Sequence, residues 1–242
     1  MMKRAYAGIF LCLAMAASGG NADLRLVYTN AAPDTGNAAW EHWSLPVGNG
    51  FFGASVFGGV TNEHLVLSHG AVYARTAHRS NPELGLPTFT RAMDVYIRFP
   101  HRTAATDYRR SLDIGEAVAD VSYDADGVRY TREYFTSYPD RVMGLRFTAN
   151  RKGGLAFTLR PEIPFLQDFG MTNAANAHLG RRGTVVADRT GLGVRVEMEG
   201  YNIRYALRFE VVTDGRTVPA GDALSVRLAK GCATAVVAEV SA

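Results

Sequence analysis

Val118-Ala119-Asp120-Val121-Ser122-Tyr123, then Asp124-Ala125-Asp126-Gly127, then Val128-Arg129-Tyr130-Thr131-Arg132-Glu133-Tyr134-Phe135 is the stretch that decides the fold. Apolar residues recur with a period of two on both sides of a short Asp/Gly run, the spacing that sends alternate side chains to opposite faces of a strand. Gly127 stands where a tight turn needs a positive φ, so the two runs read as a β-hairpin turning over residues 124–127. Arg129, Thr131 and Glu133 face away from the apolar side, as in a sheet covered on one face.

Working outward, the same alternation fills Leu24-Arg25-Leu26-Val27-Tyr28 and Val95-Tyr96-Ile97-Arg98-Phe99. Further strands are predicted over residues 141–148, 155–161, 184–187, 193–198, 203–212, 223–228 and 233–240. Lys152-Gly153-Gly154, Arg181-Arg182-Gly183, Asp214-Gly215 and Ala220-Gly221-Asp222 punctuate them as turns. Roughly a dozen strands joined by short polar turns predict an all-β chain, a large antiparallel β-sandwich. No long apolar run has a 3.6-residue period, and no repeat of fixed length is present. Residues 166–179 read as a long polar loop and residues 31–39 as a loop before Trp40, while residues 68–85 show no clear period.

The chain opens Met1-Met2-Lys3-Arg4, followed by an apolar run from Ala5 to Ala17 and then small residues up to Ala22. That order predicts a secretory signal peptide over residues 1–22 and a mature domain over residues 23–242, secreted or periplasmic. The run is too short to span a bilayer, so no membrane partner is expected. Removing Lys3 and Arg4 leaves 24 basic residues of the 26 against 23 acidic ones, a net charge near +1. Nothing in that balance asks for nucleic acid or anionic lipid. Cys232 is then the one remaining thiol, so stability must come from a core and not from an internal disulfide.

Several stretches resemble chemical motifs. Gly48-Asn49-Gly50-Phe51-Phe52-Gly53 matches G-x-G-x-x-G, but a dinucleotide site needs a helix opening at the glycines, and a strand-like Ala54-Ser55-Val56 follows. Asp124-x-Asp126-Gly127 begins like a calcium loop, whose twelfth position must be Glu; here it is Phe135, so the turn reading stands. His42, His64, His69, His78, His101 and His178 show no metal-ligand spacing; His69 and His78 share a loop, where solvated histidines are the expectation. No metal or cofactor is expected. Asp113, Glu116 and Asp120 cluster before a strand, and Ser122 and Ser137 lack a nucleophile-elbow setting. The most suggestive group is Trp40-Glu41-His42-Trp43: indoles stack on sugar ring faces, and a carboxylate and an imidazole can meet hydroxyls.

Longer strings resemble a known family. Leu24-Arg25-Leu26-x-Tyr28, Trp40-Glu41, Leu45-Pro46-Val47-Gly48-Asn49-Gly50-x-x-Gly53-Ala54 and Phe57-Gly58-Gly59-Val60 are similar to the start of glycoside hydrolase family 95. Asp107-Tyr108-Arg109-Arg110-Ser111-Leu112-Asp113 and Gly127-Val128-x-Tyr130-Thr131-Arg132-Glu133-Tyr134-Phe135-x-Ser137-x-Pro139-Asp140 resemble it further along. The resemblance implies a supersandwich of the galactose-mutarotase-like kind, followed in the family by a helical barrel. It implies α-L-fucosidase or α-L-galactosidase activity with inversion, no cofactor, and catalytic acid and water-activating residues in the barrel. No catalytic residue therefore carries over to these 242 residues, and the domain alone is expected to be inactive. Where relatives have an Asn-Glu-x-Thr-Leu-Trp-like stretch, this chain has Ser68-His69-Gly70-Ala71-Val72-Tyr73, which would alter the pocket.

The leading expectation is thus a family 95 N-terminal domain acting on fucosylated glycans, the catalytic barrel being separate. Trp40, Glu41, His42, Trp43 and Asn49 are the expected sugar-facing rim. A stand-alone carbohydrate-binding module is the alternative. A mutarotase-like isomerase would need a His/carboxylate pair in a groove, and none is visible.

Overall fold

The computed structural model describes residues 24–33, 39–75, 87–165, 180–198 and 203–241. The predicted signal peptide, the 166–179 loop, His78 and His178 lie outside them. The elements, numbered along the chain, are β1 (Arg25–Tyr28), α1 (Ala39–Trp43), β2 (Leu45–Gly48), β3 (Phe52–Val56), β4 (Asn62–Arg75) and β5 (Pro87–Arg98). There follow β6 (Thr106–Asp113), β7 (Val118–Ala125), β8 (Val128–Ser137), β9 (Val142–Ala149) and β10 (Ala156–Glu162). The last are β11 (Arg182–Ala187), β12 (Gly191–Met198), β13 (Ile203–Val212), β14 (Arg216–Ala220), β15 (Ala223–Arg227) and β16 (Ala233–Ser241).

Two antiparallel sheets result. One has nine strands in the order β1-β6-β7-β8-β9-β16-β13-β12-β11, the other seven in the order β14-β15-β10-β5-β4-β3-β2. The deciding hairpin is β7–β8, and its pairing runs to Ala125 opposite Val128. The turn is therefore narrower than residues 124–127. It is the pair Asp126-Gly127, with φ of 54° and 70°, the two positive values that a type I′ turn demands. Asp124 belongs to the strand, opposite Arg129.

The inner faces meet in one core. Phe147 of β9 packs 5.6 Å from Phe99 and 5.1 Å from Phe157, edge to face, across the two sheets. Leu65, Leu67, Val95, Ile97, Val121 and Tyr134 are sealed around them. The glycine-rich string is a hairpin: β2 and β3 flank it, so a strand, not a helix, follows the glycines and no phosphate cradle forms. Both edges of the seven-stranded sheet carry proline, Pro46 in β2 and Pro219 in β14, where a missing N–H costs no ladder bond.

Charge is buried inside the sandwich as well. Glu63 is fully enclosed and accepts from the Gly58 amide at 2.7 Å, its neighbour His64's amide at 3.1 Å and the Tyr134 hydroxyl at 2.7 Å. Arg132 lies 3.3 Å from it, donates to the Gly59 carbonyl at 2.8 Å and lies over the rings of Phe99 and Tyr123. Burial works against the Arg132 charge, yet the surrounding Tyr134, Tyr123 and Glu63 hold its pKa above that of an ordinary arginine. The Gly58-Gly59 pair makes this possible. Gly58 has φ +77°, and a Cβ there would sit 2.6 Å from the Tyr108 hydroxyl; a Cβ on Gly59 would fall 1.8 Å from the Asn62 carbonyl oxygen.

Candidate functional site

The expected rim residues occupy the β2 edge of the sandwich. Ala39 roots α1 in a small apolar cluster with Ala32 and Phe57, against Val66 on the outer face of the seven-stranded sheet. Trp40, Glu41, His42 and Trp43 are all exposed, the indoles by 51% and 48%. Trp40 and Trp43 stand three apart, so they share a face of the helix. Arg110 fixes this segment from below. Its buried guanidinium stacks 4.3 Å from the centroid of Tyr28 and donates to the carbonyls of Asn30, at 2.8 Å, and of Trp43. Burial lowers the Arg110 pKa, against the nearby Tyr108 and Tyr28 hydroxyls and the Glu63 carboxylate.

Asn49 sits at the far end of β2, roughly 20 Å from Trp43 along an extended strand. Its amide shapes the turn: Oδ1 accepts from the Phe51 and Phe52 amides at 3.0 and 2.8 Å, and Nδ2 donates to the Ser137 carbonyl at 2.8 Å. The β2–β3 turn is thereby tied to the turn at residues 137–141, and Phe51 is turned outward. Phe51 meets Tyr138 at 5.8 Å between ring centroids, with the Arg141 guanidinium over its ring at 5.1 Å. The structure therefore groups Trp40, Glu41, His42 and Trp43 and sets Asn49 apart from them. It also adds an aromatic pair, Phe51 and Tyr138, that the sequence reading missed. The signal was present in Phe51-Phe52, because two adjacent aromatics in a period-two strand cannot both face the core.

The other candidates have structural partners. Asp113 binds Arg25 at 2.6 Å and accepts the Glu116 amide at 2.9 Å; the amide first and Arg25 after it hold its pKa down. Asp120 takes the Ser111 hydroxyl and lies 3.5 Å from Arg25, so two acids of the trio pin the β1 edge to its neighbours. Asp126 caps the 102–103 backbone, accepting from the amides of Arg102 and Thr103 at 3.0 Å. His69 accepts from the Ala71 amide through Nδ1 at 3.2 Å and meets Phe52 edge-on, and burial lowers its pKa. Ser137 donates to Asp140 at 2.6 Å, and Ser122 accepts from Arg129 at 3.0 Å.

Comparison with known proteins assigns the layer. Alpha-L-fucosidase 2 from Arabidopsis thaliana is 26% identical over 220 residues, an alignment covering 76% of this chain and 26% of that protein. The chain thus spans about a quarter of the length of the curated relative it matches. A solved structure named as a kojibiose phosphorylase from human microbiome superposes with a TM-score of 0.57 at 12% identity, over 91% of this chain and 33% of its own. At that identity the likeness speaks for the sandwich fold alone. A family model described as "Glycosyl hydrolase family 65, N-terminal domain" matches residues 71–241, which include Tyr138 and Arg141 and begin after the Trp40–Phe51 edge. The resemblance to family 95 and this match agree on a glycoside hydrolase N-terminal domain. The match covers more than half of the sequence, and the chain belongs to the glycosyl hydrolase family 65 N-terminal domain family.

Proposed function

We propose that this chain is the N-terminal β-sandwich of a secreted, family 95-like α-L-fucosidase, acting on α-L-fucosyl or α-L-galactosyl glycans, and that it scaffolds a separate helical catalytic barrel. The observation that carries this reading is the 26% identity to an α-L-fucosidase across three quarters of the chain. The carboxylates Glu63, Asp113, Asp120 and Asp126 support it, because they are engaged by Arg132, Arg25 and backbone amides. A glycosidase needs two free acids on opposite sides of the scissile bond. In the complete enzyme, a barrel acid protonates the departing oxygen while a barrel base activates water. The sandwich positions the barrel and lends Trp40, Glu41, His42 and Trp43 to the rim, with Asn49 setting the turn that presents Phe51.

Purified residues 23–242 should release nothing from an aryl α-L-fucoside. Turnover that disappears when an acid of this chain is replaced would overturn the assignment. Residues 1–22 serve export in this reading, so the mature protein recovered from a secreting host should start near residue 23. The exposure of both indoles on one face of α1 favours a second reading, a free-standing carbohydrate-binding module. That reading requires fucose or galactose to shift the indole NMR signals, and unmoved signals at saturating sugar remove it.

A further inference from the structure

Several outward arginines of the sandwich meet a carboxylate. Arg160 lies 2.9 Å from Asp222, Arg204 3.2 Å from Glu197, Arg208 2.8 Å from Asp188 and Arg129 3.2 Å from Asp124. Three do not. Arg98, Arg216 and Arg227 line a cleft of about 630 Å³ on the outer face of the seven-stranded sheet, and among the described residues no carboxylate lines it or pairs with them.

The strand register gathers these three. Arg216 of β14 stands directly opposite Arg227 of β15. The next outward row runs Val218, Ser225, Thr158, Arg98 across β14, β15, β10 and β5. Opposed like charges repel across a ladder, so the Arg216–Arg227 pairing works against the fold unless an anion lies between the guanidiniums. Neutral hydrogen-bonding groups sit beside them, since the hydroxyls of Thr158 and Ser225 are 3.1 Å apart. Apolar surface is supplied by Val218, 44% exposed, and by Phe157 beneath. His101 stands at one end, its Nε2 2.8 Å from the Tyr123 hydroxyl.

We propose that this cleft binds an acidic saccharide, a sugar carrying a sulfate ester or a carboxylate, with Arg98, Arg216 and Arg227 gripping the oxyanion and Val218 facing the ring. A guanidinium fork matches both oxyanions in a bidentate way. The cleft has the size of a small-ligand site, and the whole chain carries a formal net charge of only +3, which disfavours a nucleic acid tracking an extended basic stripe. The site is separate from the Trp40–Trp43 rim and does not depend on the fucosidase reading.

The test is calorimetric titration of the purified chain with a sulfated tetrasaccharide, an oligouronide of equal length and an uncharged tetrasaccharide. At least one acidic ligand should bind, and the uncharged one should bind about tenfold more weakly or not at all. The double substitution Arg216→Gln and Arg227→Gln should weaken acidic binding about tenfold or more while the variant keeps its cooperative thermal transition. Arg195→Gln with Arg204→Gln, in the separate groove of about 510 Å³ over β11–β13, should leave binding unchanged. The tighter of the two acidic ligands identifies the oxyanion. Equal binding of the uncharged sugar, no binding of either acid, or equal weakening by the groove pair would each overturn the proposal.

Discussion

Arg110, Arg132 and Arg181 are buried almost completely; Arg98, Arg216 and Arg227 are exposed around a cleft. Each buried guanidinium has backbone or side-chain acceptors and a ring face beside it, although Nε of Arg132 and of Arg181 has no hydrogen-bond partner among the described residues. Arg181, for example, donates to the Arg91 carbonyl at 2.6 Å and the Tyr205 hydroxyl at 2.9 Å. The exposed three face water, and two of them, Arg216 and Arg227, stand opposite each other. Burial makes a partner compulsory, because an uncompensated charge out of water costs several kcal/mol, roughly 3–5 when one member of a pair is removed. Exposure makes a partner optional, so a cluster of like charges at the surface can be kept free for something that arrives later.

The comparison can be broken most readily at Arg132. Arg132→Ala strands the Glu63 carboxylate between the sheets and should cost about 3–5 kcal/mol in urea unfolding. Replacing both, Glu63→Leu with Arg132→Met, should recover only part of that loss: no uncompensated charge remains, but the Gly58 amide, the Tyr134 hydroxyl and the Gly59 carbonyl lose their partners. Recovery of nothing would mean that the pair does more than neutralise itself.

At Arg110 the expected loss is smaller. Arg110→Ala removes charge-assisted bonds to the Asn30 and Trp43 carbonyls, worth about 3 kcal/mol together. Both tryptophans of the chain, Trp40 and Trp43, lie on α1, so their fluorescence reports this segment alone. In the variant it should change at lower urea than the far-ultraviolet strand signal; coincident transitions would show that Arg110 does not hold α1.

Alkaline titration probes the buried tyrosines around these arginines. Burial, against the pull of Arg132 on Tyr123 and of Arg181 on Tyr205, pushes both hydroxyls up to about 12. Their folded pKa values lie above the unfolded value, so the stability they contribute is complete below pH 10 and is lost as pH rises toward 12. The loss should be roughly 2 kcal/mol for each, read as a falling unfolding midpoint across that window. A flat midpoint would place the hydroxyls in contact with water. The smallest effect is expected at the cleft, where Arg216→Gln relieves the repulsion from Arg227 and should raise stability by about 0.2–0.5 kcal/mol. A clear loss would mean that Arg216 has a stabilising partner after all.

The β7–β8 hairpin was legible because its alternation and its Asp-Gly turn agree, and the sandwich followed from repeating that pattern. Other strands were hidden by local irregularity. In β4 the register against β5 shifts after Leu67 and again before Tyr73, which breaks the period, so the strand's continuation to Arg75 was not foreseen. In β6 the register shifts between Thr106 and Arg109, and Asp107 between them has φ 47°. The buried charges left a readable trace: Glu63 is in phase with Leu65 and Leu67, and Arg132 with Val128, Tyr130 and Tyr134, so both point into the core. The cleft left none, because Arg98 and Arg216 come to line one cleft only through pairing across β5, β10, β15 and β14. A formal net charge of only +3 concealed it too. At the rim, the Trp40–Trp43 cluster could be picked out by composition, but whether Asn49 joined it depended on how far β2 extends.

The prolines at the two borders of the smaller sheet have a consequence for the molecule in company. An open sheet invites a neighbour's strand to add on, and repeated addition grows fibrils. Pro46 and Pro219 each remove one outward donor from a strand of only four or five residues, so neither border offers an unbroken template. A strand added at either flank of that sheet would therefore forgo a hydrogen bond at the proline.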